Sequence, residues 1–232
     1  MYSIESIKKV TAEMKARRAF YEDIPVEEIK LCISEGNRKI GKTINVSLPP
    51  ILTCAHCKEC MFYCYDIKAC LQYPNTVIDA RIRNLVILMK NRNEYFNRIE
   101  NRIARKRKNK AFRWHVSGDI PDIDYLDRMV SIARRHPDWT FWTYTKNYEC
   151  VNEYVRSHGN DRKTAIPANL SIMFSEWKGL TMLNPYGFAE FRVLFEDDTM
   201  PEGAWKCPGN CDACLRAGRG CPVNETGYVD AH

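Results

Sequence analysis

The sequence predicts an α/β fold, either a partial (βα) barrel or an open parallel sheet, led by N-terminal helices and ending in a cysteine-rich C-terminal tail. Three observations carry this expectation. β-rich runs alternate along the chain with helical runs, the pattern of a parallel sheet with helical crossovers. The strands number about five, fewer than a closed eight-stranded barrel needs. Nine of the eleven cysteines fall in two short stretches, Cys54 to Cys70 and Cys207 to Cys221, the first in the loop after the first expected strand.

Each element has a local reason. Residues 3–20 place Ile4, Ile7, Val10 and Met14 at helical spacing among charges. A second short helix is expected over 25–35, with Pro25 near its start and Gly36 just past its end. Thr43 through Leu48 alternates and is β-rich, and Pro49-Pro50 stops it. Residues 76–108 read as one helical stretch carrying Ile78, Ile82, Leu85, Phe96, Ile99 and Ile103. Phe112–Val116 is a strand, followed by Ser117-Gly118-Asp119 and a turn at Pro121. Then come a helix over 122–135, a strand from Trp139 to Tyr144 and a helix over 150–158. Strands at Asn169–Ser175 and Phe188–Phe195 complete the series. No internal repeat or low-complexity linker appears. The division expected is one α/β domain over 1–200 and a cysteine-rich segment over 201–232.

Composition narrows the class. Hydrophobic residues are 45% and charged residues 28%, which excludes a disordered or fibrous chain. No run of about 18 apolar residues is present, so no membrane span is expected. No apolar stretch follows Lys8-Lys9, so no secretory leader is expected either. Clustered rather than dispersed cysteines argue for metal or iron–sulfur ligation over disulfides, and for a cytoplasmic setting. Cys32 and Cys150 stand alone on expected helices and read as buried residues.

The first cluster, Cys54-x2-Cys57-x2-Cys60-x3-Cys64, has the spacing of the bacterial ferredoxin run, with Tyr65 where proline would follow. Structural zinc more often uses two separated pairs, and His56 reads as a bystander within the loop. Cys207, Cys211, Cys214 and Cys221 form a second set of four. Gly209, Gly218 and Gly220 supply tight turns between them. Four protein ligands close a coordination shell, which suits a structural or electron-transfer 4Fe–4S cluster, with zinc as the alternative. Ligands in an α/β sheet lie beyond the carboxyl ends of strands. There Ser117, Gly118 and Asp119 join the first cluster loop, as do Lys146 after the third strand and Glu176 in the loop after the fourth. Ser117-Gly118-Asp119 taken alone also fits a helix-capping turn.

Several motifs together resemble the phage Gene product 88 family. They are Thr53-Cys54, Cys60-x3-Cys64-Tyr65, Lys68-Ala69, Tyr73-Pro74-Asn75, Arg83-Asn84-Leu85, the run from Phe112 to Pro121, and Cys207-Pro208-Gly209-Asn210-Cys211-x2-Cys214. That layout is similar to a compact radical S-adenosylmethionine (SAM) enzyme. The resemblance implies a 4Fe–4S cluster on Cys54, Cys60 and Cys64, with SAM received at Ser117, Gly118 and Asp119. It implies an auxiliary cluster on the C-terminal cysteines, pocket groups Tyr144, Lys146 and Glu176, an unidentified substrate, and a reductant such as flavodoxin or ferredoxin. The chain departs from the usual C-x3-C-x2-C loop, carries Cys57 as an extra thiol, and has aspartate where glutamate is usual.

Other function classes remain open in the sequence. Arg98, Arg102, Arg105, Lys106, Arg107, Lys108 and Lys110 crowd one helix end in a chain of net charge +6. This fits a cluster-bearing nucleic-acid-binding protein, or simply cations suited to a helix C-terminus. The ferredoxin-like spacing also fits an electron carrier or redox sensor whose first cluster Cys57 would close.

Overall fold

The short β-branched and aromatic runs form strands in the computed structural model, which describes residues 1–37, 40–216, 221 and 226–230. They build one open eight-stranded sheet. β1 (Ile33–Ser34) pairs antiparallel with β2 (Ile44–Val46). From β2 the sheet runs in parallel through β3 (Ala111–Trp114), β4 (Thr140–Thr145), β5 (Leu170–Glu176) and β6 (Ala189–Leu194). β7 (Trp205–Lys206) lies at the far edge, with β8 (Gly227–Asp230) between it and β6. Five parallel strands, β2 to β6, thus follow one another in chain order, and their carboxyl ends share one rim. The five expected strands are β2 to β6. β1, β7 and β8 have only two to four residues, too few for a periodic signal to register.

The helices are α1 (Ile4–Glu22), α2 (Tyr65–Gln72), α3 (Asp79–Lys90), α4 (Arg92–Arg105), α5 (Ile123–Arg135), α6 (Tyr148–Ser157), α7 (Arg162–Ala165) and α8 (Cys211–Arg216). Ser3 caps α1 and Asp122 caps α5 through side-chain acceptors. Strand alternation then sorts the core. Ile44, Val46, Phe112, Trp114, Phe141, Ile172 and Phe174 point to one face and pack with α3, α4, α5 and α6. Ala111, Trp142, Met173 and Ala189 point to the other face, where they meet Cys221, Cys211 and Leu215 of the C-terminal segment. Helices therefore cover one face, and the opposite face is left for a cavity. Gly218 and Gly220, the turn glycines expected between the C-terminal cysteines, lie outside the described residues; Gly209 adopts φ +66 as a turn requires.

Two expected helical stretches differ in the structure. Residues 25–35 form turns and extended chain instead of a second N-terminal helix. Their carbonyls are taken by side chains: Arg98 donates to the oxygens of Ile29 (2.6 Å) and Val26 (3.1 Å). Cys32 accordingly lies on extended chain and is half-buried, whereas Cys150 is buried on α6 as expected. The stretch 76–108 is also not one helix. Asn91 takes an extended conformation (φ −150, ψ 88) and its side chain accepts from the Glu94 amide, ending α3 and starting α4. The chain leaves helix again at Lys106.

Asn84 is the clearest tertiary tie in this region. It is buried on α3 and brackets Cys32 with Oδ1 accepting from its amide (2.8 Å). Nδ2 donates to the Cys32 (2.9 Å) and Ser47 (3.0 Å) carbonyls. Replacing Asn84 with Ala removes the side-chain partner of three backbone groups, two at half-buried Cys32 and one at buried Ser47. It is expected to cost about 2–4 kcal/mol in urea unfolding; a loss below about 1 kcal/mol would refute the tie.

Candidate functional site

A cavity of about 240 Å³ opens at the rim formed by the strand carboxyl ends. One part of its wall is the loop after β2. Pro49-Pro50 ends that strand, and Thr53 Oγ1 donates to the Pro49 carbonyl at 2.7 Å. A short 3-10 turn, Glu59–Tyr63, follows. Cys54, Cys57, Cys60 and Cys64 of this loop all line the cavity, and so do Cys207 and Cys211 of the C-terminal segment. The two cysteine stretches, some 150 residues apart in the chain, thus meet at one space. Of the other expected ligands, Cys221 is buried beside the Tyr144 hydroxyl, near enough to Cys211 and Cys207 to feel their charge. Cys214, on α8, is not part of the lining.

The thiols differ electrically. The Cys57 thiol hydrogen-bonds to Cys54 and to Cys60, and its own ionisation is strongly opposed. Cys60 is drawn down to about 7, chiefly because Cys57 donates to it, with Lys146 and His56 adding positive charge. Cys64 is pushed up to about 12 by burial, with Asp66 adding to the rise, and burial lifts Cys221 to about 12. Cys54, Cys57, Cys60 and Cys64 are not disulfide-bonded. As a donor set they suit a thiolate-ligated metal or cluster, which would offset the charge of the buried thiolates. Their sulfurs do not yet converge: among the described residues no three His, Cys, Asp or Glu side chains surround a common metal position.

The turn after β3 forms the opposite part of the rim. Ser117 is buried; its carbonyl accepts from the Leu48 amide, and its hydroxyl donates to Asp66 Oδ2 at 2.6 Å. Asp66, two residues past Cys64, also takes a two-pronged ion pair from Arg81 on α3. Gly118 adopts φ +82, and a Cβ there would lie 2.7 Å from both the Leu48 side chain and Thr53 Oγ1. Only glycine lets the two rim loops approach this closely. Asp119 is buried and accepts from the amides of Ile120 (2.7 Å) and Lys146 (2.9 Å) and from Thr145 Oγ1 (2.6 Å). Burial raises its carboxyl, against the lowering effect of those donors. Oδ2 takes one of the three bonds and keeps room for a further donor.

Of the expected pocket groups, Lys146 and Tyr144 line the cavity and Glu176 does not. Lys146 Nζ reaches Ser175 Oγ at 3.2 Å and lies over the Trp177 ring at 5.4 Å. Glu176 is corrected by strand alternation: Ser175 and Trp177 face the cavity, so Glu176 between them turns toward Arg192 on β6, 2.9 Å away. His56 lines the cavity but pairs outward with Glu149 at 3.0 Å. Sequence reasoning missed Arg113 and Tyr63 as cavity residues, and missed Asp66; Trp177 lies at the end of the fourth expected strand, on the rim where ligands were expected. Arg113 was legible only as an inward position on a strand.

The basic stretch is largely engaged in structure. Arg98 holds backbone carbonyls and Glu94. Arg102 and Lys106 pair with Glu35, and Lys110 pairs with Asp138. Among the described residues no helix is long and apolar enough to cross a membrane.

Fold and site together define an α/β protein with a thiol-lined cavity at the carboxyl ends of a parallel sheet. The chain belongs to the Gene product 88 family, whose family model matches residues 26–180, about two thirds of its length. Searches of curated proteins and of solved structures returned no match.

Two outcomes follow from the rim. Replacing Arg81 with Met strands the Asp66 carboxylate in the interior and is expected to cost about 3–5 kcal/mol in urea unfolding; a cost near zero would refute the knot. His115, at the end of β3, is 3% exposed, and burial holds its imidazole down to about 3, with Arg113 adding to the effect. The unfolded chain takes that proton near pH 6.5, so stability is fully present above this pH and falls as pH drops toward 3. At about pH 4.5 the loss is about 2–3 kcal/mol. Urea midpoints across this range should fall less steeply in His115→Asn; equal slopes would exclude His115 as the cause.

Proposed function

We propose that this chain is an iron–sulfur enzyme of the radical SAM type, acting on a small substrate held in the cavity. The observation that carries the reading is the meeting of Cys54, Cys60 and Cys64 with the Ser117-Gly118-Asp119 turn at one rim. The open run of five parallel strands in chain order, β2 to β6, supports it, as an incomplete barrel would have that order. A 4Fe–4S cluster on Cys54, Cys60 and Cys64 would supply the electron for reductive cleavage of SAM.

The chain's own residues prepare that chemistry. Asp119 offers its remaining Oδ2 acceptor capacity to an ammonium at the rim, while the Ile120 and Lys146 amides and Thr145 hold the carboxyl in place. Tyr63 and Trp177, with ring centroids 5.8 Å apart, flank the opening with apolar surface that limits water. Lys146 is steadied by Ser175 and presents a cation to the same space. Cys207, Cys211, Cys214 and Cys221 would hold an auxiliary cluster or zinc, and flavodoxin or ferredoxin would serve as reductant.

A second reading, an electron carrier or redox sensor, draws on the Cys57 thiol bridging Cys54 and Cys60. The two separate cleanly. After anaerobic reconstitution, Cys57→Ala should keep the first site's complement of about four irons and sulfides, while Ala at Cys54, Cys60 or Cys64 should lose it. Reduced protein given SAM should release 5′-deoxyadenosine. Iron loss in Cys57→Ala with no SAM cleavage would establish the carrier reading instead, and a colourless, iron-poor preparation would end both.

A further inference from the structure

The cavity face of the sheet holds a cation that neither the cluster chemistry nor the rim employs. Arg113 lies on β3, between Phe112 and Trp114, whose side chains go to the helix-covered face. Its own side chain lines the cavity. The guanidinium carbon is 5.0 Å from the Tyr144 ring centroid. The groups that influence its charge most are the Tyr65 and Tyr144 phenols and the Cys211 and Cys221 thiols. Its Nε is buried and has no hydrogen-bond partner among the described residues. Trp142, its register partner on β4, is 1% exposed, and its indole Nε1 is also buried without a partner.

Two adjacent strands thus place orphaned N–H donors on the same face. A buried donor without an acceptor costs about 1–3 kcal/mol, and a guanidinium without a counter-anion costs more. Stacking on Tyr144 offsets only part of this. Arg81 and Arg98, by contrast, have carboxylate or carbonyl partners. Phe191, Val193 and Val229 add apolar wall to the same cavity. The cavity volume is below the roughly 300–1,000 Å³ common for drug-sized ligands, so it suits a small molecule rather than a polymer.

We propose that Arg113 anchors an oxyanion group, carboxylate or phosphate, of a small-molecule ligand whose apolar portion lies against Tyr144, Phe191 and Val193. The anion contact rests on this geometry alone. Naming that ligand the substrate rests on the enzymatic reading above. The planar guanidinium can give two parallel N–H bonds to one oxyanion, which lysine cannot reproduce. Arg113 is then the residue that restricts the cavity to anionic substrates.

The test uses the full chain labelled with 15N-arginine, titrated with inorganic phosphate and, separately, with malonate. The Arg113 Nε–H resonance, assigned by its absence in Arg113→Lys, should shift with at least one probe. Affinity by calorimetry should fall about tenfold or more in Arg113→Met and less in Arg113→Lys. No movement of that resonance in the wild type, or unchanged affinity in a folded Arg113→Met, overturns the proposal, and the wild-type resonance decides the matter if Arg113→Met fails to fold. A shift on adding SAM alone would transfer Arg113 to the cofactor carboxylate and overturn the substrate assignment. Iron content of the same samples keeps the two ideas separate. Loss of iron in Arg113→Met with phosphate and malonate still bound would make Arg113 a partner of thiolates and refute the anion site. An iron-poor wild type that still shows the Arg113 shift would refute the radical SAM reading and leave the anion site standing.

Discussion

The Asp66 carboxylate joins three parts of the chain at one point. It lies at the start of α2, two residues beyond Cys64, and takes both prongs of Arg81 from α3 and the hydroxyl of Ser117 from the turn after β3. With 2% of its side chain exposed, its oxygens are met by those partners, which offset the cost of burying them. The knot presses the cysteine loop against the rim of the parallel sheet. Gly118 permits that approach, because any side chain there would strike Leu48 and Thr53. The cavity is a consequence of this contact.

The second constraint is the one-sided packing of the sheet. α3 to α6 cover the face bearing Phe112, Trp114, Phe141 and Phe174. The other face would expose Trp142, Met173 and Tyr144 if nothing came to meet them. The C-terminal segment does so, because β8 extends the sheet beside β6 and brings Cys207, Cys211 and Cys221 over that face. Two cysteine stretches that the sequence separates widely therefore bound one space. The same arrangement explains why Arg113 points into it and why Trp142 lies on the same face of the sheet: strand alternation offers no third direction.

Much of the site was readable in advance where chemistry is local. The dense spacing of Cys54 to Cys64 marks a loop, and Ser117-Gly118-Asp119 marks a tight turn after a strand; both lie where a parallel sheet puts its ligands. Lys146 followed from the same rule, and Tyr144 from the resemblance. Glu176 did not, because its facing depends on a one-residue phase along β5, where six of seven residues are buried and alternation leaves no clear signal. Asp66 and Asn84 were invisible as well, since their partners are 15 to 52 residues away.

By itself the sequence determined the parallel α/β architecture, the five main strands and the two cysteine loops, since periodicity, prolines and short spacings act between near neighbours. Only the tertiary structure decided that residues 25–35 would not be helical, because Arg98 and Asn84 claim backbone groups that a helix would have used internally. It alone brought the two cysteine loops to one cavity and set a lone guanidinium inside it. Those outcomes depend on burial and on partners distant in the chain, which no local pattern encodes.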